Sequence, residues 1–482
     1  MTGVSSSTDS VSAREAANVE RSLVDASLKL PVLTLFGSAL FWLMISTVLG
    51  VVSSLKLIWP ELLSGCAWFT YGRVWPAYTS TLLYGWAIPA GIGVSLWMAA
   101  RLCRVAVTRQ GWIVIGSMLW NAGVAVGLLM ILAGKGTGYA WMEYPPVVAA
   151  LLFVAWLVVS TWTLVIFAKR RPGHVFIAMW YFLAAVVWFP WLILTGYFGV
   201  ANATGVVQPI IAAWFGGGMM NLFLAATGIG ALYYLVPKVT GKPIVSYNLA
   251  SAAFWSFALF AGWTGLTTLT GGPVPAWIPT VSIAATIMMI VPVAMMTANF
   301  ALTMKGNFAM VHGSPTIRFA FFGAAAYALC AVLSLIFCLH SVEKIVQFSM
   351  VQTGLNHLMV YGFFSMVMFG AMYYIIPRLV GCEWLSSTFI RWHFWGAAYG
   401  MGMAIFSMLI GGLAAGAAWL QPEITKEMAI QAGYPYMVGR AISLILLIPA
   451  HMVFGLHFLL MILRMGRPAG EPTLLAHGEE AH

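Results

Sequence analysis

Twelve uninterrupted apolar runs, each longer than twenty residues, constrain this chain more than any other feature. They fall at about 31–54, 76–102, 112–134, 145–168, 175–200, 209–236, 249–270, 278–303, 318–340, 354–376, 393–417 and 439–464. Each is long enough to cross a hydrocarbon core of about 30 Å. Inside lipid every backbone N–H and C=O must be satisfied within the protein, which leaves helices or a closed barrel. A barrel needs alternating apolar and polar residues, and these runs do not alternate. Only 7% of the residues are charged, against about 25% in soluble domains. The expected fold is an all-α polytopic membrane protein, a bundle of twelve transmembrane helices.

The charges set an expected orientation. Arg14, Arg21, Lys29, Arg101, Arg104, Arg109, Lys169, Arg170, Arg171, Lys238, Lys242, Lys305, Arg318, Arg378, Arg391, Arg464 and Arg467 precede the first span or sit about the ends of even-numbered ones, 17 of the 23 Lys and Arg. The positive-inside rule then places both termini in the cytoplasm, expected here beside a bacterial inner membrane. Residues 1–28 are polar and lack the apolar core of a cleaved signal peptide. The chain divides into a polar cytoplasmic tail over 1–28, a transmembrane domain over 29–466 and a polar tail over 467–482. The five cysteines have no CxxC or zinc-type spacing, and no nucleic-acid motif accompanies the net charge of +10.

The thirteen carboxylates fall in tails or between spans, Glu143 and Glu343 among the latter, so this reading places none mid-membrane and gives direct proton translocation no support. Of nine histidines, His174, His312, His477 and His482 read as solvated, His393 as interfacial, and His340, His451 and His457 as packing residues. His357 differs. It lies inside the apolar stretch from Gly354 to Gly381, which leaves through Tyr373, Tyr374, Pro377 and Arg378. An intramembrane imidazole is costly and marks a functional site by default; a hydrogen bond to a neighbouring helix is the alternative reading.

Several segments carry a family resemblance: FTYGRVWPAYTS with ARLCR, ALYYLVPKVTGKPIVSYNLASAAFW, AMYYIIPRLVG with RWHFW, and YPYMVGR. With these segments the chain resembles subunit I of cbb3-type cytochrome c oxidases, of the heme–copper oxidase superfamily, across nearly all twelve spans. The resemblance implies a six-histidine site, two for a low-spin heme, one for a high-spin heme and three for copper, because neutral imidazole binds both iron and copper well. This chain departs from that set at five positions. The first copper histidine falls on Gly217, the adjacent pair on Thr267 and Thr268, the active-site tyrosine on Ala261, and the high-spin ligand on Leu355. His357 stands at the low-spin position, and its partner falls on Tyr78 of Gly72-Arg73-Val74-Trp75-Pro76-Ala77-Tyr78.

The resemblance therefore implies a divergent subunit I with a degenerate site, in a respiratory, electron-transport complex with cytochrome c-type partner subunits. Copper and high-spin heme are expected to be absent, and with them oxygen reduction by this chain alone. One heme b, held by His357 and Tyr78 as axial residues, is the single retained cofactor this reading admits; Tyr78 as a packing residue in a heme-free helix pair is the other. Two alternatives complete the set: an active terminal oxidase using unconventional ligands, and a transporter, sensor or assembly protein reusing the bundle. The vacated positions would leave an apolar space, filled by lipid or closed by collapse.

Overall fold

The structure is a computed structural model describing residues 5–468, with side chains from residue 15 onward. Among these residues twelve helical segments are long and apolar enough to cross a membrane. They are α1 (Ser5–Ile58), α2 (Tyr71–Cys103), α3 (Gly111–Leu132), α4 (Pro146–Ala168), α5 (Ile177–Asn202), α6 (Val207–Thr240), α7 (Tyr247–Leu269), α8 (Trp277–Met304), α9 (Pro315–Phe337), α10 (Val351–Val380), α11 (Ser387–Trp419) and α12 (Lys426–Ile462). The twelve expected spans are the twelve observed helices.

Helix α1 takes in the described part of the polar segment, from Ser5 onward, since nothing there breaks a helix before Pro31. Most of the 467–482 tail, with His477 and His482, lies outside the described residues.

Three helices form the centre. The most apolar stretches of α2 and α10 are wholly buried and that of α6 is 94% buried, against 22–61% for the other nine. Each central helix also widens to a π-helix: Thr81–Ala87 in α2, Met219–Ala225 in α6 and Leu358–Ser365 in α10. Such stretches are rare and concentrate at functional sites. In α6 and α10 the widening begins just after Gly217 and His357. Both helices then run through Tyr-Tyr-X-X-Pro and a cation to a left-handed glycine, Gly241 (φ 70°) and Gly381 (φ 80°), which glycine adopts without strain. Gly217 to Gly241 and His357 to Gly381 are both intervals of 24 residues.

Short polar residues start the outer helices. Ser246, Ser314, Ser386 and Thr425 accept hydrogen bonds from the backbone N–H three residues on, satisfying a donor the helix leaves free.

Candidate functional site

Pro76 and the N-terminal turns of α2 set Tyr78 opposite the first turns of α10, and there Tyr78 meets His357. The Tyr78 hydroxyl is 2.8 Å from His357 Nε2, and both residues are 2% exposed. His357 Nδ1 lies 2.8 Å from the carbonyl of Thr353, one turn back. A carbonyl only accepts, so Nδ1 carries the proton, Nε2 is bare, and the Tyr78 hydroxyl donates to it. Gly50 makes room for the tyrosine: a Cβ there would approach the Tyr78 ring to 2.9 Å.

Two further tyrosine–histidine bonds follow along α10. Tyr361 bonds His451 Nε2, whose Nδ1 is 2.8 Å from the Thr47 hydroxyl. Tyr373 is 2.9 Å from His393 Nδ1, and the His393 ring stacks on Phe454 at 4.4 Å. His393, read as an interfacial hydrogen-bonding residue, is fully buried within the bundle: α11 presents it inward, to Tyr373 and Phe454. Tyr361 and His451 both pack on Phe369, which meets Trp86 at 4.8 Å, while Trp75 packs on the Tyr78 and His357 rings. Sequence reading missed this series because the partners are far apart in the chain; only the i,i+4 spacing of His357 and Tyr361 was visible.

Beside the pair sits a buried cation. The Arg440 guanidinium lies 4.8 Å from the Trp75 ring centroid, and Arg440 is 2% exposed. The Tyr71 hydroxyl faces it, but its Nε and Nη2 have no acceptor among the described residues. On the other flank, Thr79 and Ser80 donate hydrogen bonds of 3.1 and 2.9 Å to the Glu143 carboxylate. Glu143 is a between-span residue folded inward and 5% exposed. Burial pushes its carboxyl above the usual range, and hydrogen bonds from the backbone at Glu143 and Trp141 and from the two hydroxyls pull it partly back.

The positions standing for copper and high-spin ligands also come together. Gly217, Thr267, Thr268 and Leu355 line one cavity of about 480 Å³. Ala261 is buried outside that lining. The expected collapse is partial. At Gly217 the α6 backbone has closed onto α7, where a Cβ would meet the Gly265 Cα at 2.3 Å; α7 is a 3₁₀-helix over Ala261–Leu269.

These residues do not fit the implied metals. Glycine, leucine and two threonines offer no imidazole, and no side chain fits at Gly217. Among the described residues, no group of three or more His, Cys, Asp or Glu is placed to hold a metal ion. At the low-spin position a metal–imidazole bond is about 2.1 Å, as for zinc, so an iron between the two residues would hold their donor atoms roughly 4 Å apart. The 2.8 Å hydrogen bond leaves no such gap, and the lone pair an iron would take is already engaged.

A sequence profile described as Cytochrome C and Quinol oxidase polypeptide I matches residues 31–446. The chain belongs to that family. It is 26% identical over 454 residues to a cytochrome c oxidase subunit 1 homolog of Agrobacterium tumefaciens, covering 90% of this chain and 83% of the relative. It is 25% identical over 393 residues to the Cbb3-type cytochrome c oxidase subunit CcoN1 of Stutzerimonas stutzeri, covering 78% and 82%. The fold matches a heme-copper terminal oxidase dimer solved by cryo-electron microscopy, with a TM-score of 0.72 and 16% identity over 93% of this chain and 86% of that one. This is an integral membrane protein with the heme–copper oxidase subunit I fold.

Proposed function

We propose that this member of the polypeptide I family is a non-catalytic subunit of a respiratory oxidase-type membrane complex, packed against other oxidase subunits, cytochrome c-type among them. It resides in a bacterial inner membrane with both termini cytoplasmic. The observation that carries the reading is the Tyr78–His357 bond. It ties α2 to α10 at the position where the resemblance expects an iron, and so turns a ligand position into a helix–helix clamp. The Gly217–Gly265 contact supports the same reading at the copper position. Without those ligands the chain contributes scaffold and partner surfaces to the complex rather than an oxygen-reducing centre.

A second reading retains one heme b at His357 and Tyr78, and Arg440 favours it. A buried guanidinium with two unpartnered nitrogens is costly unless an anion meets it, and a heme carboxylate is such an anion. That reading requires the 2.8 Å bond to open.

Pyridine hemochrome spectra and copper analysis of the chain purified with its partners separate the readings. Neither metal in this chain is the expected result. One heme lost on His357→Ala establishes the second reading. Two hemes with stoichiometric copper per chain overturn both.

A further inference from the structure

The cavity behind Leu355 contains a feature that neither the family resemblance nor the scaffold role uses. The helix His340–Val346 between α9 and α10 folds Glu343 inward against it. Glu343 is 4% exposed, and its Oε2 has no hydrogen-bond partner among the described residues. The His340 ring stands 3.7 Å away through Nδ1, on a side chain that is 73% exposed, and the Thr270 side chain also faces the carboxylate. Glu343 is the single charged residue in the described lining. A buried carboxylate facing a cavity whose lining holds no basic residue costs free energy unless something positive meets it.

The rest of the lining says what that something is. The floor is apolar and polarisable, with Met220, Met289, Leu355 and Met359, and thioethers adapt to varied shapes. Tyr139, Trp141 and Phe348 also line the cavity. Phe348 is 98% exposed, in a left-handed backbone conformation (φ 59°) that bulky residues avoid. Aromatic faces attract cations. A volume of about 480 Å³ falls within the 300–1,000 Å³ range of small-molecule sites.

We propose that this cavity is a binding site for a small organic cation, a substituted ammonium whose charge is held by Glu343 and whose apolar body fills the methionine-lined floor. The proposal rests on the scaffold reading at the copper and high-spin positions, which line this same cavity, and not on whether His357 holds a heme; metal analysis tests that reading, and cation binding by the metal-free chain tests the site.

Equilibrium dialysis of the purified full chain with radiolabelled benzyltrimethylammonium tests it, with neopentylbenzene, the uncharged isostere, as competitor. The expected result is saturable binding that neopentylbenzene does not displace and that Glu343→Gln weakens at least tenfold. Ala331→Phe, which fills the cavity and leaves the carboxylate in place, is expected to abolish binding, and it stands alone as the test if Glu343→Gln does not fold. Absence of saturable binding overturns the proposal. So does displacement by the neutral isostere at matching concentration, or undiminished binding in either folded variant.

Discussion

Gly217 and Gly265 meet backbone to backbone: a Cβ on Gly217 would stand 2.3 Å from the Gly265 Cα, and one on Gly265 would stand 2.6 Å from the Gly217 Cα. Neither partner has a side chain that can yield, so one added methyl must push α6 and α7 apart. Gly217→Ala is expected to lower stability by about 1–3 kcal/mol, the range for overpacking, seen as a lower melting temperature in detergent. Gly217→His is expected to do worse and to recruit no copper. An alanine variant melting with the wild type would remove the close-contact account of this position.

The Tyr78–His357 clamp predicts energetic coupling. A neutral hydrogen bond contributes about 0.5–1.5 kcal/mol net, and stranding one buried partner costs about 1–3 kcal/mol. Tyr78→Phe and His357→Leu should each destabilise, and the double variant should lose less than the two single losses added. A double-mutant cycle on thermal melts measures this. Strict additivity would mean that the two side chains do not act as a pair.

Arg440 offers a stability test of the bound state. Replacing even a buried ion pair by apolar residues of similar size is often neutral or a gain of about 1–4 kcal/mol, and a buried charge without a partner anion has less attraction to lose. Arg440→Met should therefore melt at or above the wild-type temperature in the heme-free protein. A marked drop would show that an anion engages the guanidinium, and would favour the one-heme reading.

Glu143 predicts a pH dependence with a definite sign. Its carboxyl is raised above the ordinary value of 4.5 in the folded protein, chiefly by burial. The folded state therefore holds its proton to higher pH than the unfolded chain does. The contribution is fully present below 4.5 and is lost as pH climbs from there through the folded value. Glu143→Gln, which mimics the protonated form, should flatten that decline. Melting curves of both proteins from pH 4 to 8 check it; parallel pH profiles would show that Glu143 is ionised in the fold.

How much of this was legible beforehand depends on the range of the interaction. The twelve helices could be read because a continuous apolar run admits one solution in lipid. Tyr78 and His357 could be paired only through the family resemblance, and their direct bond could not be read at all, since they stand 279 residues apart. Glu143 and Glu343 were read as between-span residues, which they are, but not as buried ones: the sequence between two spans does not say whether its loop turns out or folds back. The π-helical stretches were also hidden, because widening a helix by one residue per turn leaves the apolar run unbroken. Glycine at 217 could be set at a ligand position through the resemblance; its backbone contact with Gly265 could not be read.

The matching intervals in α6 and α10 bear on how relatives of this chain are compared. From Gly217 and from His357 the two segments run the same distance, through the same widening, to the same kind of glycine stop. One carries an imidazole at its origin and the other a bare hydrogen, yet the thread between origin and stop is unchanged. Shape is thus a record of descent that stays silent on chemistry. Superposing backbones will score these positions alike whether or not a donor atom is there, and only an atom-by-atom reading of the side chains separates a working centre from its cast.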